Sequence, residues 1–390
     1  MKISMTGRVA ALGVTAALTL AACGSTDSGP ASTVKLNAST NPATQLAGVC
    51  PSTVVVQLDW EPEADYAGIF GMLGPDYTVD TNGKRVTGTL VDSDGKDTGV
   101  KLEIRSGGAA IGFQSVSSQM YTDKSILLGT ISTDQAITAA AAGQSVEQVS
   151  AIQRWSPYIL FWDPKTYPNV KTIADLGKSP ATVVVAKTTA YQDWLVGTGL
   201  IPKEHLDTSY DGSPTRFVAD PKVAVEGYAT NSPYELEHET PAWNKPVAYQ
   251  LLKDAGYEMY PSALAVRSED VKGKADCLSK LIPIHQQALK SYMADPSHVT
   301  DTVVDLVQRY QTSWTYSKAL AEYAYTQFRE HDLISNDTDG AVGSFDPQRQ
   351  KRNFDSFSTV ITKSGGTIPA GVTADSISTN QFIDPKVSLP

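Results

Sequence analysis

From Thr53 onward, short β-branched apolar runs alternate with stretches of helical spacing. Residues 53–58 form a Val-rich run, 64–73 a short helical segment, 100–105 and 125–131 two further strands, and 134–142 a helix. This order predicts an α/β fold with a largely parallel sheet covered by helices. Between 74 and 99, Asn82-Gly83 and Asp94-Gly95 are each flanked by β-favouring residues, which predicts two hairpin turns inserted into the first crossover. A second series follows, with strands at 158–162, 182–187 and 223–230 and helices at 191–196 and from 234. The chain then returns through a strand at 260–266. From there to 329 it reads as mainly helical, with Leu281, Ile284, Ala288 and Tyr292 on one face. Two α/β series with one return predict two lobes joined by two crossings, near 150–157 and 258–263.

The N-terminus adds a compartment. Lys2 and Arg8 precede an apolar run from Val9 to Leu20, followed by Leu20-Ala21-Ala22-Cys23-Gly24. A run of twelve is too short to span a bilayer, which needs roughly 20 apolar residues, so 1–22 reads as a signal peptide. The small residues before Cys23 resemble a lipobox, making Cys23 the predicted lipidation site and 23–50 a flexible tether. Lobe 1 is then expected over 51–154, lobe 2 over 155–258, and the helical remainder of lobe 1 with a C-terminal tail over 259–390. With 42 acidic and 32 basic residues the chain carries −10, and loss of Lys2 and Arg8 with the leader deepens that by two. Such a surface repels phosphate backbones, so nucleic acid is not an expected partner. In an oxidising compartment Cys50 and Cys277 form the economical disulfide pair, the alternative being two buried free thiols.

Open α/β sheets bind ligands beyond the carboxyl ends of their strands. Four turns there carry candidate ligand-binding residues: Asp59, Trp60, Glu61 and Tyr66; Ser132, Thr133 and Asp134; Thr188 and Thr189; and Tyr228, Asn231 and Glu235. Trp60 and Tyr66 are suited to sandwich a flat ring while Asp59 or Glu61 accepts its N–H groups. The plainer readings are a core Trp60, helix-start acids and capping hydroxyls.

The residues Leu58-Asp59-Trp60-x-Pro62 with Ala67-Gly68 resemble the opening strand and turn of thiamine-precursor binders. These belong to a family of ABC-importer substrate-binding proteins that also includes nitrate, sulfonate and taurine binders. Ser150-Ala151-Ile152-Gln153-Arg154, Asp175-Leu176-Gly177 and Gly227-Tyr228 through Tyr234 are similar to further family segments. The resemblance implies a two-lobed periplasmic-binding-protein (flytrap) fold, no catalysis and no cofactor. It also implies a permease partner and a location outside the cytoplasm, anchored through Cys23. Asp59, Trp60 and Tyr66 would face the ligand, with Tyr228 and Asn231 closing from the other lobe. Tyr66 stands where that branch commonly has histidine, Glu61 and Glu63 replace neutral residues, and the hairpin insert is atypical. The expected ligand is a small flat nitrogen heterocycle. The alternatives are a sulfonate or nitrate-type anion, a non-transport surface scaffold, or an exported enzyme. Against an enzyme, no Gly-x-Ser-x-Gly elbow, P-loop or Gly-x-Gly-x-x-Gly is present. His205, His238, His285, His298 and His331 lack metal-ligand spacing, so no metal site is expected.

Overall fold

A computed structural model describes residues 34–186, 191–210, 212–363 and 365–390. The leader, Cys23, Thr188 and Thr189 lie outside the described residues.

Two sheets form the frame. The first contains β1 (Thr53–Gln57), β2 (Thr78–Asp80), β3 (Arg85–Val91), β4 (Asp97–Arg105), β5 (Ile126–Ile131), β6 (Val146–Ala151) and β12 (Ala263–Arg267). Its seven strands run in the order β2-β3-β4-β1-β5-β12-β6. The second contains β7 (Tyr158–Trp162), β8 (Thr182–Val184), β9 (Leu206–Asp207), β10 (Val223–Tyr228) and β11 (Ala248–Leu251), ordered β11-β7-β10-β8-β9. Each sheet belongs to one lobe, and the chain crosses between them twice, after β6 and before β12.

The expected largely parallel sheet is corrected. Parallel pairing is confined to β1 with β4 and β5, and to β8 with β9 and β10; every other ladder is antiparallel. The reasons differ between the edges. In the first sheet the turns at Asn82-Gly83 and Asp94-Gly95 fold β2, β3 and β4 into a meander. At the other edge β12, arriving from the other lobe, inserts antiparallel between β5 and β6.

The Val run of β1 is buried between layers. The helices Ala275–Ala294, Ser297–Tyr310 and Lys318–Glu330 share one large apolar core with β1, β4 and the segment Ala64–Leu73. Here Gly68 has a steric role: a β-carbon on it would collide with His285 and Leu289 of the Ala275–Ala294 helix. Cys50 and Cys277 are disulfide-bonded with Cα atoms 4.8 Å apart, fastening the start of the fold to that helix.

A second apolar cluster runs from Val55 and Ile137 in the first lobe to Trp162 and Trp194 in the second, by way of Tyr257, Met259 and Phe357. Phe357 belongs to the helix Pro347–Lys363, which lies beyond the expected helical region. Arg349 on this helix, 2% exposed, donates from Nε to the carbonyl of Glu258 at 2.6 Å. Its Nη2 donates to the carbonyls of Arg154 at 2.7 Å and Met259 at 3.1 Å. The guanidinium lies 3.9 Å from the Trp155 ring and 3.8 Å from the Tyr260 ring. One side chain therefore holds both crossings.

Candidate functional site

β1, β4 and β5 are parallel neighbours, so their carboxyl ends deliver three loops to one place. The loop after β1 carries Asp59, Trp60, Glu61, Glu63 and Asp65; the loop after β5 begins with Ser132; the loop after β4 is 106–115. Backbone bonds fasten the last to the first: Gly107 N–H donates to the Trp60 carbonyl at 2.8 Å and Gly108 N–H to that of Asp59 at 2.9 Å. A β-carbon on Gly107 would strike the Asp59 backbone, so this close approach requires glycine.

The acids of the first loop crowd together. An Asp59 carboxylate oxygen accepts from the Tyr66 hydroxyl at 3.0 Å and from the Thr130 hydroxyl, yet burial raises its pKa. Asp65 accepts from Gln153 Nε2 at 2.7 Å and from Thr230 of the other lobe at 3.5 Å; burial nevertheless pushes it up to about 6. Glu63 is raised well above the carboxylate range by burial and then by the charges of Asp65, Asp59 and Glu61. Burial also raises Glu61, whose Oε2 has no partner among the described residues. No ion pair among the described residues reaches Asp59, Glu61, Glu63 or Asp65. Lys84 acts on Glu61 at longer range.

The opposing wall belongs to lobe 2 and is made of phenols. Tyr158 packs against Tyr228 at 4.9 Å and Tyr191 at 5.4 Å, and Tyr191 against Tyr257 at 5.9 Å. Behind them the Glu226 carboxylate accepts from the Tyr191 hydroxyl, and burial pushes Glu226 up to about 7. Tyr228 is 41% exposed, yet surrounding protein, then Tyr158 and the carboxylates of Glu63 and Asp59, raise its hydroxyl well above normal. Thr230, two residues on, reaches Asp65 at 3.5 Å, which brings this strand end of lobe 2 to the acidic loop.

The remaining expected residues separate. Asn231 is buried beside this wall, its N–H bonded to the Tyr228 carbonyl at 3.0 Å. Glu235 is half-buried on the next turn, raised by burial and by Glu239. Asp134 accepts from Tyr257 at 2.7 Å and from Ser132, tying the β5 loop to the second crossing. Ser132 also caps its helix in a reciprocal box with Gln135. Two expectations are corrected. Thr133 is fully buried, bonded to Gln350 at 3.1 Å and Gln148 at 3.3 Å, because the Pro347–Lys363 helix covers it. Tyr66 is 3% exposed within the main core and offers no open face to a ring; its hydroxyl serves Asp59 instead.

Three aromatic residues outside the expected set join the cleft. Trp60 meets Trp314 edge-on at 6.1 Å and Phe113 at 6.2 Å, and Tyr158 lines the far wall. Neither Phe113 nor Trp314 was expected from the sequence; the Gly107-Gly108 pair, separated from β4 by Ser106 alone, is a local signal that could have marked the Phe113 loop, and Trp314 has none. Among the described residues no cluster of His, Cys, Asp or Glu is placed to hold a metal ion. A separate pocket at the second crossing is lined by Trp194, Tyr257, Glu258, Met259, Arg352 and Asn353.

No protein-family model matches the sequence, and no curated protein matches it. Solved structures do share the fold. The alkanesulfonate-binding protein SsuA of Xanthomonas axonopodis pv. citri, bound to MOPS, is 11% identical with a TM-score of 0.52, covering 84% of this chain and 99% of its own. The periplasmic nitrate-binding protein NrtA of Synechocystis is 12% identical with a TM-score of 0.51, covering 85% and 87%. The zinc-bound ligand-binding component of an ABC-type import system from Staphylococcus aureus is 10% identical with a TM-score of 0.50, covering 87% and 99%. At these identities the likeness establishes a two-lobed α/β periplasmic-binding-protein fold.

Proposed function

We propose that this chain is the extracytoplasmic solute-binding component of an ABC-type importer, held to the membrane through a lipid on Cys23. Its ligand in this reading is a small flat nitrogen heterocycle of the thiamine-pyrimidine-precursor kind. One observation carries the ligand class: four crowded carboxylates with aromatic rings on both sides and, among the described residues, no cation ion-paired to any of the four. Raised carboxyl groups are eased by a ligand that brings N–H donors or positive charge, and ring faces favour a flat partner.

The proposed cycle follows from the lobe arrangement. Ligand settles against Trp60 and the Asp59 loop; contacts from Tyr228 and Asn231 then favour the closed state, which the permease recognises. The names of two structural neighbours favour a second reading, a sulfonate or nitrate. Four acids with no ion-paired cation among the described residues oppose it, because a desolvated anion needs charge-assisted donors.

The test is calorimetric titration of the domain lacking Cys23 with thiamine, 4-aminopyrimidine, riboflavin, an alkanesulfonate and nitrate. The expected result is saturable binding of a ring compound and none of the anions. Trp60→Ala is expected to weaken it by ~1–3 kcal/mol. Anion binding with no response to the rings would exchange the two readings.

A further inference from the structure

Phe113 is the most exposed large apolar residue beside the cleft, at 64%. Its backbone is left-handed, with φ at 56°, directly after Gly112 at 61°. The other non-glycine residues in that region, among those described, are Lys84, Asn244, Gln311 and Asp332, all polar. A bulky ring is a poor occupant of such a position, because its β-carbon crowds the backbone; glycine or asparagine meets the same geometry with less strain. Packing does not account for it either, since most of its surface meets water.

What the strained turn achieves is placement. Phe113 N–H donates to the Gly108 carbonyl at 2.9 Å, and Gly107 and Gly108 are bonded to Trp60 and Asp59. The loop is thus docked on the acidic loop with its one large ring held outward, 6.2 Å from the Trp60 centroid and tilted by 46°. Trp60 is only half-buried and is braced from behind by Trp314. Two rings at that distance and tilt form an open angle, and Trp60 belongs to the loop that also carries Asp59 and Glu61.

We propose that Phe113 is a ligand-contacting residue: with Trp60 it forms an aromatic corner that receives a flat nitrogen heterocycle, and its ring sets how large a ring system the cleft admits. This rests on the ring-binding reading of the cleft given above.

The test compares wild type, Phe113→Ala, Phe113→Tyr, Phe113→Gly and Trp60→Ala by titration with thiamine, 4-aminopyrimidine and riboflavin, with melting temperatures alongside. Phe113→Ala is expected to weaken the best-bound probe about tenfold, as loss of one stacking partner does. Phe113→Tyr should stay within about twofold of wild type. Phe113→Gly should melt at or above the wild-type temperature, which separates a contact role from a folding role. Wild-type affinity in Phe113→Ala, with binding lost in Trp60→Ala, overturns this proposal and leaves the cleft reading intact. Failure of all three probes to bind wild type overturns both.

Discussion

The two faces of the hinge region both bury charge, and they treat it in opposite ways. Behind the crossings, the Arg349 guanidinium donates to three backbone carbonyls, lies between two aromatic rings, and has Asp337 and Glu258 nearby. In front, Asp59 and Asp65 each accept from neutral donors, and both repel Glu63. Burial opposes ionisation in both places, lowering the arginine and raising the acids. Only the rear adds charges of opposite sign to its hydrogen bonds. A buried charge held by backbone carbonyls and opposite charges serves the fold; a repelling set without a counter-charge costs stability and is a candidate for function.

Substitution should read the two faces with opposite signs. Arg349→Met leaves the carbonyls of Arg154 and Met259 without their side-chain donor and that of Glu258 with Asn353 alone, and is expected to cost about 3 kcal/mol or more in urea denaturation. Asp65→Asn keeps an acceptor for Gln153 and removes a charge, so it should stabilise the ligand-free protein on the order of 1–2 kcal/mol at pH 8. The pH sense follows from the direction of the shift. Asp65 at about 6 and Glu226 at about 7 lie above their unfolded values, so the folded state holds extra protons between those limits. Their stabilisation is complete below about pH 4 and is lost as pH rises through 6 and 7. Melting temperature should therefore fall across that window, and Asp65→Asn should flatten the fall. Glu226→Gln should act in the same direction by about 1 kcal/mol, the gain growing from about pH 4.5 and levelling off above 7. Last, Lys124→Gln, which breaks an exposed pair with Glu269, should shift stability by no more than about 0.5 kcal/mol at any pH. A stabilising Arg349→Met or a destabilising Asp65→Asn would invert the contrast between the faces.

The lobes and their crossings were legible because a Val-rich strand and a Gly-bounded turn are local signals, as at 53–58 and around Asn82-Gly83. The Asp59–Trp60 turn stood out for the same reason, an aromatic and acids placed where a strand ends. The Pro347–Lys363 helix did not, because its buried face includes Arg349, Gln350 and Asn353, which give no apolar period. Tyr66 was misread because sequence shows an aromatic near an acid but not which way the ring turns; a core that closes over it decides that. Mixed pairing was hidden too, since the same Val-rich strand suits either direction. Phe113 and Trp314 reach the cleft through long-range packing, which a local pattern does not encode.

The Cys50–Cys277 bond spans 227 positions of sequence, and both crossings and every strand of the second sheet lie between its ends. Lobe 2 is in this sense a closed ring of chain whose two feet are fastened together in lobe 1. A single protease cut within that ring leaves the fragments covalently joined, so the nicked protein would run as one species in denaturing electrophoresis and as two after a thiol is added. Against proteases that act on exposed loops, such a ring survives a first cut with its halves still held together.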